Sequence, residues 1–180
     1  IEDNIKRLES EGLALQDAKL QGVEEYAIEC AILKVFSSEV VQFTSDEAVQ
    51  IYGGMGFSAE SEVEACYRDA RISRIYEGTN EINRMLIVGT LLKRSMKKEI
   101  NLLEKAMVVI NSNNFESVSY DENNHFASAY NLIGNLKNCL LYILGKSAMH
   151  FGNNIKTEQE VMMNIADMII SVYVMESTLK

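Results

Sequence analysis

The sequence predicts an all-α protein, and three observations carry that prediction. It contains no proline, so nothing in its 180 residues removes a backbone donor or blocks a growing helix. Long stretches consist of Ala, Leu, Glu, Lys, Gln and Met, straight-chain residues that lose little side-chain freedom in a helix. Apolar positions recur at helical spacing, and no segment alternates apolar and polar residues between turn signals as a half-buried strand would.

Taken in order, the first helix is expected from about Ile5 to Leu20, with Ile5, Leu8, Leu13 and Leu15 among charges, and Gln21-Gly22 ends it. A longer helix follows from about Glu24 to Tyr52. It is apolar around much of its circumference, so contact on several sides within a bundle is expected. Gly53-Gly54 and Gly56 close it, since glycine takes the left-handed conformations that end helices. A short helix is expected near Ser61 to Asp69. Thr79 suits the N-cap of the next, whose Ile82, Met85, Leu86, Gly89 and Leu92 form one apolar stripe predicted to face the core. Ile100, Leu103, Met107 and Ile110 extend an amphipathic pattern to about residue 111. The polar stretch 111–125, rich in Asn and Ser, reads as a linker. Two further helices, about 127–151 and 157–180, are parted by Gly152-Asn153-Asn154. The expected organisation is a helical bundle over 1–95, an amphipathic helix and polar linker over 96–126, and a helical extension over 127–180.

Composition narrows the function classes. A net charge of −9 with no basic stripe argues against nucleic acid as a partner. Three cysteines, widely spaced and without a CxxC pair, read as inert thiols in a reducing setting. The only histidines, His125 and His150, lie far apart, so no metal site is expected. No apolar run is long enough to span a bilayer, and the start carries no signal-peptide pattern. A chain opening on Ile1 and ending on Lys180 without a helix stop is expected to be cut from a longer protein.

Chemistry concentrates between Gln50 and Arg84. Glycines there let a ligand approach the backbone, and a helix N-terminus offers unpaired amides to a phosphate or an oxyanion. Glu77 stands just ahead of such a terminus, between Ile75-Tyr76 and Gly78. Two readings of it are open on spacing alone. It is either a general base in apolar company or an acidic residue complementing the helix dipole.

The motifs themselves are more specific. Gln50-Ile51-Tyr52-Gly53-Gly54-Met55-Gly56 is followed by Arg68-Asp69, Ile72, Ile75, Glu77-Gly78-Thr79 and Ile82. Ala31, Lys34, Ser38-Glu39 and Asp46-Glu47-Ala48 precede them. Over about residues 23–95 this pattern resembles the C-terminal domain of acyl-CoA dehydrogenases. The segment TEQEVMMNIADMIISVYVMES, through Glu158-Gln159 and Ala166-Asp167, resembles the additional C-terminal domain of the very-long-chain branch. The fold implied is an acyl-CoA dehydrogenase C-terminal-like helical bundle followed by additional helices.

The resemblance implies a set of roles. Glu77 would remove the α proton of an acyl-CoA thioester while a hydride leaves the β carbon for FAD, giving a trans-2-enoyl-CoA in fatty acid β-oxidation. The Glu77 amide would donate to the thioester oxygen, in the manner of an oxyanion hole. Gly78 would leave room beside the thioester, and Tyr76 would line the acyl pocket or act as a packing aromatic. Thr79, Asn80 and Glu81 would contact FAD of the same subunit. Gln50, Ile51, Tyr52, Gly53 and Gly54 would reach FAD of a partner subunit, with the Gln50 side chain and the turn's amides holding its adenosine-pyrophosphate part. Glu81 is a departure, since many relatives carry Gln there and a carboxylate cannot donate as an amide does. Arg68 and Asp69 are expected as a half-buried pair fixing loop geometry.

A homodimer or dimer of dimers is implied, with electron-transfer flavoprotein as electron acceptor. The setting is soluble, in the cytoplasm of a bacterium or the mitochondrial matrix of a eukaryote. The basic cluster Lys93, Arg94, Lys97 and Lys98 before the apolar stripe of 100–110 suggests a membrane-surface helix, but an ordinary solvated face is favoured. An N-terminal helical domain and a middle β-domain precede this region in the family. Without them the 180 residues are expected to retain no FAD and to be silent. An acyl-CoA oxidase-like flavoprotein and a non-enzymatic assembly scaffold are the alternatives carried.

Overall fold

The structure is a computed structural model in which residues 1–112 and 125–180 are described. Most of the linker expected over 111–125 therefore lies outside the described residues. Contacts divide the chain into two compact units, Ile1–Asn83 and Arg84–Lys180.

The first unit opens on α1 (Glu2–Ser10) and α2 (Leu15–Glu25), where a single helix was expected. The break falls at Gly12, with φ +96°, and not at Gly22. Gly22 is buried inside α2, and a Cβ there would come within 2.7 Å of Ile5 Cγ1. Its lack of a side chain serves helix packing, which sequence cannot distinguish from a stop.

The 26-residue α3 (Ala27–Tyr52) buries Ile28, Ala31, Ile32, Val35 and Ser38. This face follows helical periodicity and packs with α2, with α4 (Gly54–Phe57) and with α5 (Glu62–Ile72). Leu33, Phe36, Val40 and Phe43 are exposed, so among the described residues of the first unit α3 is covered on one side only. Ser61 caps α5 by accepting from the Val63 amide at 3.3 Å.

The boundary between the two compact units falls in the first turns of α6 (Asn80–Met96). Thr79 is the expected cap, its Oγ1 accepting from the Ile82 amide at 3.2 Å. The stripe predicted on α6 is partly wrong. Ile82 and Leu86 are exposed, whereas Ile87, Val88 and Leu92 are buried. Two neighbouring faces of α6 satisfy the same helical spacing, and tertiary contacts chose the one through Met85, Val88 and Leu92.

In the second unit Val88, Leu92, Leu144, Ile155, Met162, Ile165 and Ala166 form the core. They come from α6, α8 (Ala127–Phe151), a 3₁₀ segment (Gly152–Thr157) and α9 (Gln159–Leu179). The helix α7 (Leu102–Ser112) packs on α8, and Leu102 and Leu103 lie against this core. Part of the apolar stripe read as a possible membrane-surface face is thus used in packing. Gly145 lets the pair close up, since a Cβ there would meet Ile110 Cδ1 at 2.7 Å and Ala106 Cβ at 3.0 Å. Among the described residues no helix is long and apolar enough to cross a membrane.

Candidate functional site

Both chemistry-bearing segments lie in the first unit. Gln50, Ile51 and Tyr52 form the last turn of α3 and are all exposed, Ile51 by 80% and Tyr52 by 61%. Gly53 then reverses the chain at φ +58°, ψ −140°, a conformation that side chains other than hydrogen rarely tolerate. A Cβ added at Gly53 or Gly54 would meet nothing within 4 Å in this chain. The turn is therefore an open strip of backbone, able to admit a flat or phosphorylated ligand at close range.

The second segment is the loop from Ser73 to Thr79, between α5 and α6. The amides of Ile75 and Tyr76 donate to the Ile72 carbonyl, and the Asn80 amide closes the loop on the Arg74 carbonyl at 3.1 Å. At its apex Glu77 has φ +54° and Gly78 φ +83°. A left-handed residue with a side chain costs on the order of 1–2 kcal/mol, so Glu77 holds this shape only because its surroundings impose it. Glu77 and Gly78 are exposed, and Tyr76 is half-exposed at 52%. Among the described residues the amides of Glu77, Gly78 and Thr79 meet no acceptor. An exposed carboxylate thus adjoins three consecutive free donors at the head of a 17-residue helix. That arrangement can take a proton and stabilise the negative charge released beside it.

Asn80, in the stretch expected to contact FAD, turns its side chain inward. It is fully buried, and it lies inside a polar cluster that ties the loop to α3. Lys34 Nζ donates to the Gly78 carbonyl at 2.8 Å and to Asn80 Oδ1 at 2.7 Å. Asn80 Nδ2 donates to Ser38 Oγ at 3.0 Å and to Glu39 Oε1 at 3.3 Å. Asn83 Nδ2 also donates to the Gly78 carbonyl, at 2.9 Å. Sequence reading gave Lys34 and Ser38 no role. Their i, i+4 spacing beside the buried Ala31, Ile32 and Val35 was the available signal. Glu81 is exposed in the first turn of α6.

Arg68 and Asp69, expected as a half-buried pair, are both exposed, and Arg68 Nε donates to Glu64 Oε1 at 3.0 Å, one helical turn back. Gly56 and Phe57 beyond the glycine turn and Ile72 and Ile75 ahead of Glu77 line one cavity of about 610 Å³, together with Val49 and Tyr67. Glu77 is not part of its wall. Among the described residues no three His, Cys, Asp or Glu side chains cluster as a metal site.

Comparison with known proteins gives a consistent picture. Two family models match, both described as acyl-CoA dehydrogenase, C-terminal domain, at residues 11–92 and 135–180, which together exceed half the chain. A probable acyl-CoA dehydrogenase of Bacillus subtilis is 40% identical over 176 residues, covering 98% of this chain and 30% of that protein. The mitochondrial very long-chain specific acyl-CoA dehydrogenase of Rattus norvegicus is 51% identical over 67 residues, 37% of this chain and 10% of the relative. A crystal structure of acyl-CoA dehydrogenase complexed with FAD from Bacillus anthracis superimposes with a TM-score of 0.83 at 41% identity, covering 97% of this chain and 30% of that one. The chain spans about a third or less of the length of these proteins.

Proposed function

The chain belongs to the acyl-CoA dehydrogenase family, and from that premise we propose that Glu77 is the catalytic base of a flavin-dependent acyl-CoA dehydrogenase whose C-terminal helical part these residues form. The observation that carries the reading is the apex of the Ser73–Thr79 loop, an exposed carboxylate beside three amides with no partner among the described residues.

The α proton of a thioester is only weakly acidic, so a carboxylate can remove it only if the enolate oxygen is stabilised as charge develops. The Glu77 amide meets that need when its own carboxylate faces the α carbon, which ties base and oxyanion donor to one residue. The positive end of α6 favours the same charge. The left-handed Gly78 leaves space for the thioester, because a Cβ there would come within 3.1 Å of Asn83 Nδ2 and narrow the apex. Tyr76, half-exposed, is available to the acyl chain.

The open Gly53-Gly54 turn fits an FAD group approaching from outside this chain, with Gln50 exposed beside it. When bound, FAD supplies the acceptor for the hydride leaving the β carbon. Thr79 and Glu81 lie at the exposed head of α6 within reach of a cofactor of the same subunit, and Asn80 contributes from inside by holding the loop. The uncovered apolar face of α3 supports an assembly in which a partner subunit or a further domain packs there. A homodimer sharing the flavin, an acyl-CoA substrate and electron-transfer flavoprotein as acceptor belong to the same proposal.

Glu77→Gln in the complete flavin-loaded protein tests it. The amide keeps the shape and removes the base, so flavin bleaching by acyl-CoA should slow by about 10²–10⁴-fold while flavin content is unchanged. Bleaching at the original rate would place the base elsewhere.

A further inference from the structure

We propose that Lys34 is the positioning residue of the Glu77 loop, its ammonium clamping the Gly78 carbonyl and the buried Asn80 side chain onto α3. The inference rests on the assignment of Glu77 as base and goes on to say what aims it.

Lys34 lies on the buried side of α3, between Ile32 and Val35. Two of the three ammonium donors are spent at 2.7–2.8 Å on groups flanking Thr79, immediately after the base. Charge-assisted bonds of that length are the strong ones, and the one to Asn80 is partly shielded from water. Asn80 is fully enclosed, so its side chain has no solvent to turn to if Lys34 is lost. Ser38, one turn further along the same face of α3, takes the other end of the amide.

The geometry also couples to the donors of the site. The Gly78 carbonyl and the Thr79 amide are the two ends of one peptide unit. A cation at the carbonyl end polarises the unit and makes its free N–H a stronger donor. The same contact fixes the peptide plane that follows Gly78, the left-handed residue (φ +83°) directly after Glu77. Asn83 reaches the same carbonyl at 2.9 Å, but it belongs to α6, which begins at this loop. Of these two donors to the Gly78 carbonyl, Lys34 is the one that refers it to a different element, α3.

The test is Lys34→Met in the complete flavin-loaded protein, beside Glu77→Gln. Lys34→Met should load flavin yet lower kcat tenfold or more with KM changed less than threefold, because the acyl-CoA contacts are intact and the aim of the base is lost. Lys34→Arg, which keeps the charge and a reach into the cluster, should recover most of that loss. Normal turnover in a flavin-loaded Lys34→Met protein, with Glu77→Gln inactive, overturns the clamp alone. An active Glu77→Gln protein overturns the assignment beneath it as well. If Lys34→Met fails to load flavin, Lys34→Gln and Lys34→Arg decide the matter. Turnover per bound flavin should fall in the order wild type, Arg, Gln, and equal turnover in all three removes the positioning role.

Discussion

At Gly53 the chain turns with a φ of +58°, while the next residue, Gly54, has ordinary backbone and open space where a Cβ would stand. The two glycines are therefore held by different demands. Gly53→Ala forces a side chain into a disfavoured conformation and should destabilise the fold by about 1–2 kcal/mol, seen as a lower midpoint in urea. Gly54→Ala strains nothing within this chain and should leave that midpoint within about 0.5 kcal/mol. In the complete protein it should nonetheless lower flavin content, because the methyl group would occupy the space left for an approaching ligand. Equal flavin content in Gly54→Ala and wild type would remove the turn from the cofactor site. Sequence shows both glycines and cannot say which serves the turn and which the ligand. For Asn80 it misled more directly, since a polar residue at a helix start reads as exposed until the contacts with Lys34, Ser38 and Glu39 are known.

Helices α8 and α9 are joined by an apolar seam and closed near the C-terminus of α9 by polar contacts. Tyr130 Oη donates to the Leu179 carbonyl at 2.7 Å, and Lys137 Nζ lies 2.8 Å from Glu176 Oε2, with Lys180 on the other oxygen at 3.3 Å. The Lys137 hydrogen bond and the two nearby cations hold the Glu176 carboxyl below its ordinary value of 4.5, against a smaller opposing effect of burial. A carboxyl that titrates lower when folded stabilises the fold above its unfolded value, and that contribution is lost as pH falls through the folded one. Lys137→Gln should accordingly lower the melting temperature slightly at pH 7, and the gap to wild type should narrow as pH falls below 4.5 and the folded carboxyl takes up its proton. A gap that does not narrow on acidification would mean that Lys137 acts through packing.

The α8–α9 arrangement was legible because both helices are long and strongly periodic, with a glycine at φ +53° between them. The single opening helix was misread because Gly22 is a packing glycine. The α6 stripe was misread because two adjacent faces fit one period, and only the tertiary core selects between them.

For the molecule as a whole, the fold class followed from the absence of proline and from periodicity, while the candidate site came from the family resemblance that its motifs carry. Their geometry did not follow, because long-range hydrogen bonds such as Lys34 to Gly78 span 44 residues of chain. The proposed base is exposed and the turn proposed to meet FAD opens outward, so the described residues supply donors and a carboxylate without enclosing them. Purified alone, the chain should show no flavin absorbance and no oxidation of acyl-CoA. A yellow preparation that oxidises acyl-CoA would show that these helices suffice to build the site.

Helix α6 begins at the loop that carries Glu77 and runs on to supply Val88 and Leu92 to the core of the second unit. Compactness and chemistry consequently divide the chain at different places. A cut at residue 83 respects the contacts but removes most of the helix that Thr79 caps, and with it the dipole that the oxyanion would feel. The site is thus not a transferable module of the first unit. On the proposed assignment of Glu77, the site depends on a helix that the second unit keeps folded, so substitutions in the core around Val88 and Leu92 should lower turnover as well as stability.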